Sequence, residues 1–209
     1  MPLSVHALTT VAAVKDYLRI SLADTSQDAS FERTIKAVSD FIEGYCGRHF
    51  EKATYTEKYR GNGRQKLLLN QYPIISVASV TVNDGLLDAS EYEILAEEGT
   101  LYRESLWPWS GYSAGLVGEP VGSRRNIQVQ YTAGYILPKD DGTGTPPAVR
   151  NLPYDLEDAC IELVAIRHEM RGSEHMKQET IGPLTSEFIQ GIPDHIIKVL
   201  NRYRKLVVA

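Results

Sequence analysis

The chain has 209 residues, 43% of them hydrophobic and 23% charged, enough to bury a core without covalent staples. Its 22 Lys and Arg against 27 Asp and Glu leave a formal charge of -5, which argues against sequence-independent binding to phosphate backbones as the main task. No window approaches ~18 uninterrupted apolar residues and no basic start leads into an apolar stretch, so neither membrane spanning nor secretion is expected.

Thr9 and Thr10 are good N-caps for a short helix from Val11 to about Arg19, with Val11, Val14 and Leu18 at helical spacing. Phe31, Ile35, Val38, Ile42 and Tyr45 then recur at helical steps, and Gly47 supplies a C-cap to this second helix. The middle of the chain changes period. Thr54 to Tyr59 and Lys66 to Leu69, separated by Gly61-Asn62-Gly63, read as a hairpin. Ile75, Val77, Val80 and Val82 sit in a β-branched run ending at the turn Asn83-Asp84-Gly85, with further strands expected at Tyr92 to Leu95, Thr100 to Arg103 and Ile127 to Tyr131. Glycine and proline punctuate Trp107 to Arg125 too often for a regular element, which makes it a long loop, and Pro138 to Pro147 reads as a flexible connector. Helices return from Pro153 to Met170 and after Pro193-Asp194, on either side of an extended or looped stretch from Ser173 to Gly191. The expected fold class is α+β: a mainly helical bundle core, residues 1–53 and 148–209, with an inserted antiparallel β-rich segment, residues 54–147, carrying long Gly/Pro loops.

Chemistry is harder to find. Cys46 and Cys160 lie in apolar-periodic runs and read as reduced, packed thiols. The histidines His6, His49, His168, His175 and His195 lack metal-ligand spacing; His168-Glu169 opens like a metalloprotease motif, but Gly172 stands where the second histidine belongs. Gly142-Thr143-Gly144 and Gly61-Asn62-Gly63 do not lead into Gly-Lys-Ser/Thr, and Ser105, Ser110 and Ser113 have no nucleophile elbow around them. Asp155, Glu157, Asp158 and Glu162 read as a solvated face at the start of a helix. No catalytic residue, cofactor or metal is expected. Trp107, Trp109 and Tyr112 form an aromatic loop suited to a neighbouring subunit or, less favourably, to stacking on sugars or bases. Lys198, Arg202, Arg204 and Lys205 crowd the last helix, as its dipole favours and as an acidic docking partner would require.

Several stretches in order resemble the tailed-phage head-tail connector family, also called head completion or adaptor proteins: Leu8 to Leu18, Ile42 to Phe50, Leu67 to Leu69, Tyr72 to Val77, Gln128 to Tyr135, and Leu152 to Leu156. No one piece is diagnostic; the specificity lies in their order. The resemblance implies a non-enzymatic structural subunit without cofactors, in a homo-oligomeric ring of about twelve copies. Such a ring docks below the portal protein in the virion neck, is assembled in the host bacterial cytoplasm, extends the DNA channel and provides the platform for tail attachment. Its partners would be the portal, a tail or stopper/tail-completion protein and, transiently and non-specifically, double-stranded DNA, with no membrane. An acidic chain suits a channel that must not hold phosphates. Portal docking is expected of Ile197, Leu200, Tyr203, Arg204, Leu206, Val207 and Val208, and an inter-subunit or tail contact of Trp107, Trp109 and Tyr112. Changing the two tryptophans to Ala is expected to weaken assembly without unfolding the monomer. The alternatives are a tail-completion or stopper protein, distinguished by helix content, and a small carbohydrate- or ligand-binding protein with its site in the aromatic loop.

Overall fold

Thr10 opens the first helix, α1 (Val11–Tyr17), its hydroxyl accepting the Ala13 N–H at 3.2 Å and so satisfying one of the donors a helix start leaves open. The structure is a computed structural model that describes residues 6–108, 125–171, 178–181, 184–187 and 192–205. The chain divides into two units, Met1–Phe50 with Ile136–Ala209, and Glu51–Tyr135.

The first unit is built on helices. α2 (Asp28–Cys46) buries Phe31, Ile35, Val38, Ile42 and Cys46 along one face, and Gly47, at φ 68°, ends it in the left-handed region. Cys46 completes the stripe in place of Tyr45, whose hydroxyl instead donates to Asn201 Oδ1 at 2.9 Å. α3 (Tyr154–Glu169) packs against α1, α2 and α4 (Asp194–Tyr203), which is why apolar residues occupy several of its faces rather than one stripe. Lys15 is 2% exposed: its ammonium lies 2.5 Å from Asp28 Oδ1 and donates to the Asp24 carbonyl at 2.6 Å, tying α1 to the start of α2. Pro138 to Pro147, expected as a flexible connector, is a hydrogen-bonded loop. After a 3-10 turn (Pro138–Asp140), Gly142 N–H donates to Ala148 O and Ala148 N–H to Thr143 O, each at 2.7 Å.

The second unit holds β1 (Ala53–Tyr59), β2 (Lys66–Leu68), β3 (Ile74–Val82), β4 (Gly85–Leu86), β5 (Glu93–Leu95), β6 (Thr100–Tyr102) and β7 (Ile127–Ala133). They form two antiparallel sheets, β1-β7-β3-β4 and β2-β6-β5. The alternation of β7 drives Ile127, Val129, Tyr131 and Ala133 into the core. The hairpin expected between β1 and β2 does not form. β1 pairs instead with β7 along its whole length, from Ala53↔Ala133 to Tyr59↔Ile127, a longer ladder than the three residues of β2 could supply. The Gly61-Asn62-Gly63 segment has other partners: Gly61 N–H donates to Asn126 Oδ1 and Gly63 N–H to Trp107 O, both at 3.0 Å, and a Cβ on Gly61 would lie 1.7 Å from Pro108 O. The turn expected at Asn83-Asp84-Gly85 does form. Asn83 and Asp84 take φ of 51° and 66°, as a two-residue hairpin turn between β3 and β4 requires. Register shifts within β3 put Ile74 and Val80 in the core and turn Ile75 outward, 49% exposed. In the stretch from Ser173 to Gly191, β8 (Gln178–Ile181) and β9 (Leu184–Glu187) pair antiparallel.

Candidate docking surfaces

The last helix is an integral part of the helical unit. Ile196 and Leu200, one turn apart, are buried on the face of α4 that meets α2 and α3. Tyr203 donates its hydroxyl to Asp155 Oδ1 at 2.5 Å and sets its ring edge-on to Phe50, while Lys205 N–H donates to Cys46 O at 2.8 Å. Leu200, expected to dock the portal, is therefore a core residue with no surface to give a partner. Ile197 and Tyr203 are half-buried, and Arg204 is exposed with its guanidinium carbon 5.8 Å from the Tyr45 ring centre. Leu206, Val207 and Val208 lie outside the described residues.

The carboxylates of α3 are mostly not the solvated face expected of them. Glu157 is 6% exposed, ion-paired with Arg150 and accepting the Thr9 hydroxyl at 3.3 Å; Asp155 holds Tyr203; Glu162 lies 2.8 Å from His195 Nε2. Three of these acids thus fasten other segments of the unit to α3, and Asp158 is exposed.

Trp107, expected at a contact with a neighbour, is a core residue. Its side chain is fully buried with Leu67, Leu69, Leu101 and Val129, and its indole N–H donates to Gln65 O at 3.0 Å and Leu101 O at 3.3 Å. A ring enclosed on both faces and spent at its only donor cannot serve as a contact for a neighbour. Trp109 and Tyr112 lie outside the described residues.

Surface of the kind a partner covers occurs elsewhere. In the helical unit, Tyr17, Leu22, Val149 and Tyr154 are exposed by 54%, 64%, 73% and 76%, and Arg150 stacks its guanidinium 4.3 Å above the Tyr154 ring. An apolar groove of 210 Å³ opens between α2 and α3, lined by Val38, Phe41, Leu163, Ile166, Met170 and Ile192, with Arg167 at its edge. Sequence periodicity had assigned Val38 and Leu163 to the core and carried no sign that the residues between them leave a channel.

The groups with chemical potential hold structure together. In the strand unit, Tyr131 donates to Glu57 Oε2 at 2.7 Å, Tyr59 donates to the same oxygen, and the two phenol oxygens accept the N–H groups of Gln71 and Asn70. Burial is the main cause holding both phenols well above their ordinary range, so neither is poised as a base or nucleophile. Cys46 and Cys160 are free and buried, and burial raises their thiols from 9.0 to about 11 and about 12. An unfolded thiol ionises near 9.0 while the folded ones stay neutral, so their stabilisation is complete below that pH and is lost as pH rises through the folded values. Two outcomes follow: neither thiol reacts with iodoacetamide at pH 8 until the chain unfolds, and the urea midpoint falls above about pH 9, less steeply in Cys160→Ala. Full labelling of native protein would contradict the first, and a flat alkaline profile the second. Among the described residues one group combines metal-ligating side chains: His6, Glu43 and His49 bring their ligand atoms within 4.8 Å of one another.

The sequence model of the head completion protein family matches residues 7–206. The chain belongs to that family. Among solved structures, this head completion protein is similar to a chain of the neck of a native GTA particle computed with C12 symmetry, at 17% identity and TM-score 0.55, covering 100% of this chain and 94% of that one. It is similar also to a chain of the neck of an empty GTA particle computed with C6 symmetry, at 18% identity and TM-score 0.57, covering 100% and 95%. A third likeness is to a chain of the virion of a native gene transfer agent particle, at 21% identity and TM-score 0.54, with coverage of 100% and 95%. At these identities the likeness shows the fold. No curated protein matches the chain.

Proposed function

We propose that this head completion protein is a non-enzymatic subunit of a virion neck ring of about twelve copies. The ring docks below the portal, extends the DNA channel and gives the tail or a stopper/tail-completion protein its platform. The family match across residues 7–206 carries this reading, and the C12 symmetry of the similar GTA neck supports the ring. A closed ring needs two different faces on each subunit, and the helical unit offers exposed apolar residues that such closure would cover: Val149 and the Arg150-stacked Tyr154. Portal docking is assigned to the exposed parts of Ile197, Tyr203 and Arg204 with the segment Leu206 to Val208. Double-stranded DNA would pass through the lumen without being held, in keeping with a net charge of -5.

The test is negative-stain electron microscopy of the purified protein, alone and mixed with portal-containing, DNA-filled heads that lack this component. Rings, or new density capping the portal vertex, are expected; heads left unchanged and leaking DNA would refute the reading. Tyr154→Asp tests the ring face separately. It should leave the free energy of unfolding within about 0.5 kcal/mol of the parent, as a surface change does, while weakening ring formation in sedimentation velocity at least tenfold. Unaltered assembly would remove Tyr154 from the interface.

A further inference from the structure

The backbone brings His6 to two residues distant from it in sequence, Glu43 and His49. Ala7 and Leu8 are fully buried, which holds the preceding His6 against the helical unit. Glu43 lies in the last turn of α2 at 7% exposure, and the left-handed Gly47 turns the chain back so that His49 and Phe50 return over that turn. Glu43 Oε1 accepts the Phe50 N–H at 3.0 Å, and Oε2 lies 2.8 Å from His49 Nδ1. The His6 and His49 rings stand 5.5 Å apart, tilted by 30°.

We propose that His6, Glu43 and His49 form a binding site for one divalent transition-metal ion, with zinc the best fit. Two imidazoles and a carboxylate are the donor set such an ion takes, and all the ligand atoms lie within 4.8 Å of one another. Tetrahedral zinc needs its ligand atoms about 3.4 Å apart, so side-chain rotation over about an ångström completes the set. The Phe50 N–H on the other carboxylate oxygen fixes Glu43 as outer partners of metal ligands do. A fourth position stays open to water. The ion would clamp the start of the chain, at His6, to the end of α2. The competing arrangement is the Glu43–His49 hydrogen bond with His6 merely packed beside it.

The experiment uses the full chain, stripped with chelator and titrated with zinc chloride by calorimetry. One ion per chain is expected, with a rise in Tm of about 5 °C or more at hundredfold excess over Kd. His6→Gln and His49→Gln, both at least partly exposed positions, should each weaken binding at least tenfold while keeping the metal-free Tm near that of the parent. Cobalt titration followed in NMR through the imidazole protons should broaden and shift two of the five histidines, independently of any variant. Absence of saturable binding, zinc affinity unchanged in both variants, or cobalt acting on other histidines would each overturn the site.

Discussion

Trp107→Ala is expected to destabilise the strand unit by about 3–5 kcal/mol, the cost of emptying a fully buried aromatic site. The ring belongs to the apolar cluster that includes Leu67, Leu69, Leu101 and Val129, and removing it also strands the Gln65 and Leu101 carbonyls that share its N–H. Trp107→Phe should cost less, since it keeps most of the volume and loses only the donor. Urea denaturation followed by far-ultraviolet circular dichroism decides the matter. A midpoint unchanged in Trp107→Ala, with assembly alone impaired, would restore the contact role first expected from the sequence.

Arg150→Met should destabilise the helical unit by about 3–5 kcal/mol, because it leaves the Glu157 carboxylate buried without its cation. The ion pair is enclosed, with side-chain exposures of 18% and 8%, and Arg150 also donates to Leu152 O at 3.2 Å, so solvent cannot take over its role. Replacing both partners, in Arg150→Met with Glu157→Leu, should recover much of the loss, since the apolar pair carries no desolvation cost. A double variant no more stable than Arg150→Met would show that the carboxylate's bond from Thr9, rather than the charge pair, holds this junction.

Both results bear on how this head completion protein keeps its fold. Glu157 joins the segment ahead of α1 to the segment ahead of α3, and Lys15 joins α1 to α2. These polar ties join segments of the helical unit whose surface carries the exposed residues Tyr154 and Tyr17.

The helices were legible because each is announced by chemistry within a few residues: Thr10 as a cap, the α2 stripe from Phe31 to Ile42, Gly47 as a stop, and Pro153 and Pro193 at the two later starts. The Asn83-Asp84 turn was legible for the same reason, since its positive φ values favour these residue types. The family resemblance added the order of the pieces, and the match over residues 7–206 agrees with it.

The sequence by itself determined the helices α1 to α4, most strands of the second unit, the α+β class and the family. Only the tertiary structure decided which strand β1 joins, that Trp107 and Leu200 face inward, that Glu157 is paired rather than solvated, and that His6 meets Glu43 and His49. The physical reason is the range of the interactions. Caps and periodicity act over one or two turns, whereas the β1–β7 ladder, the Thr9–Glu157 bond and the approach of His6 to Glu43 join positions far apart in the chain, and the burial of Trp107 and Leu200 depends on which of several apolar faces the whole fold finds room to bury.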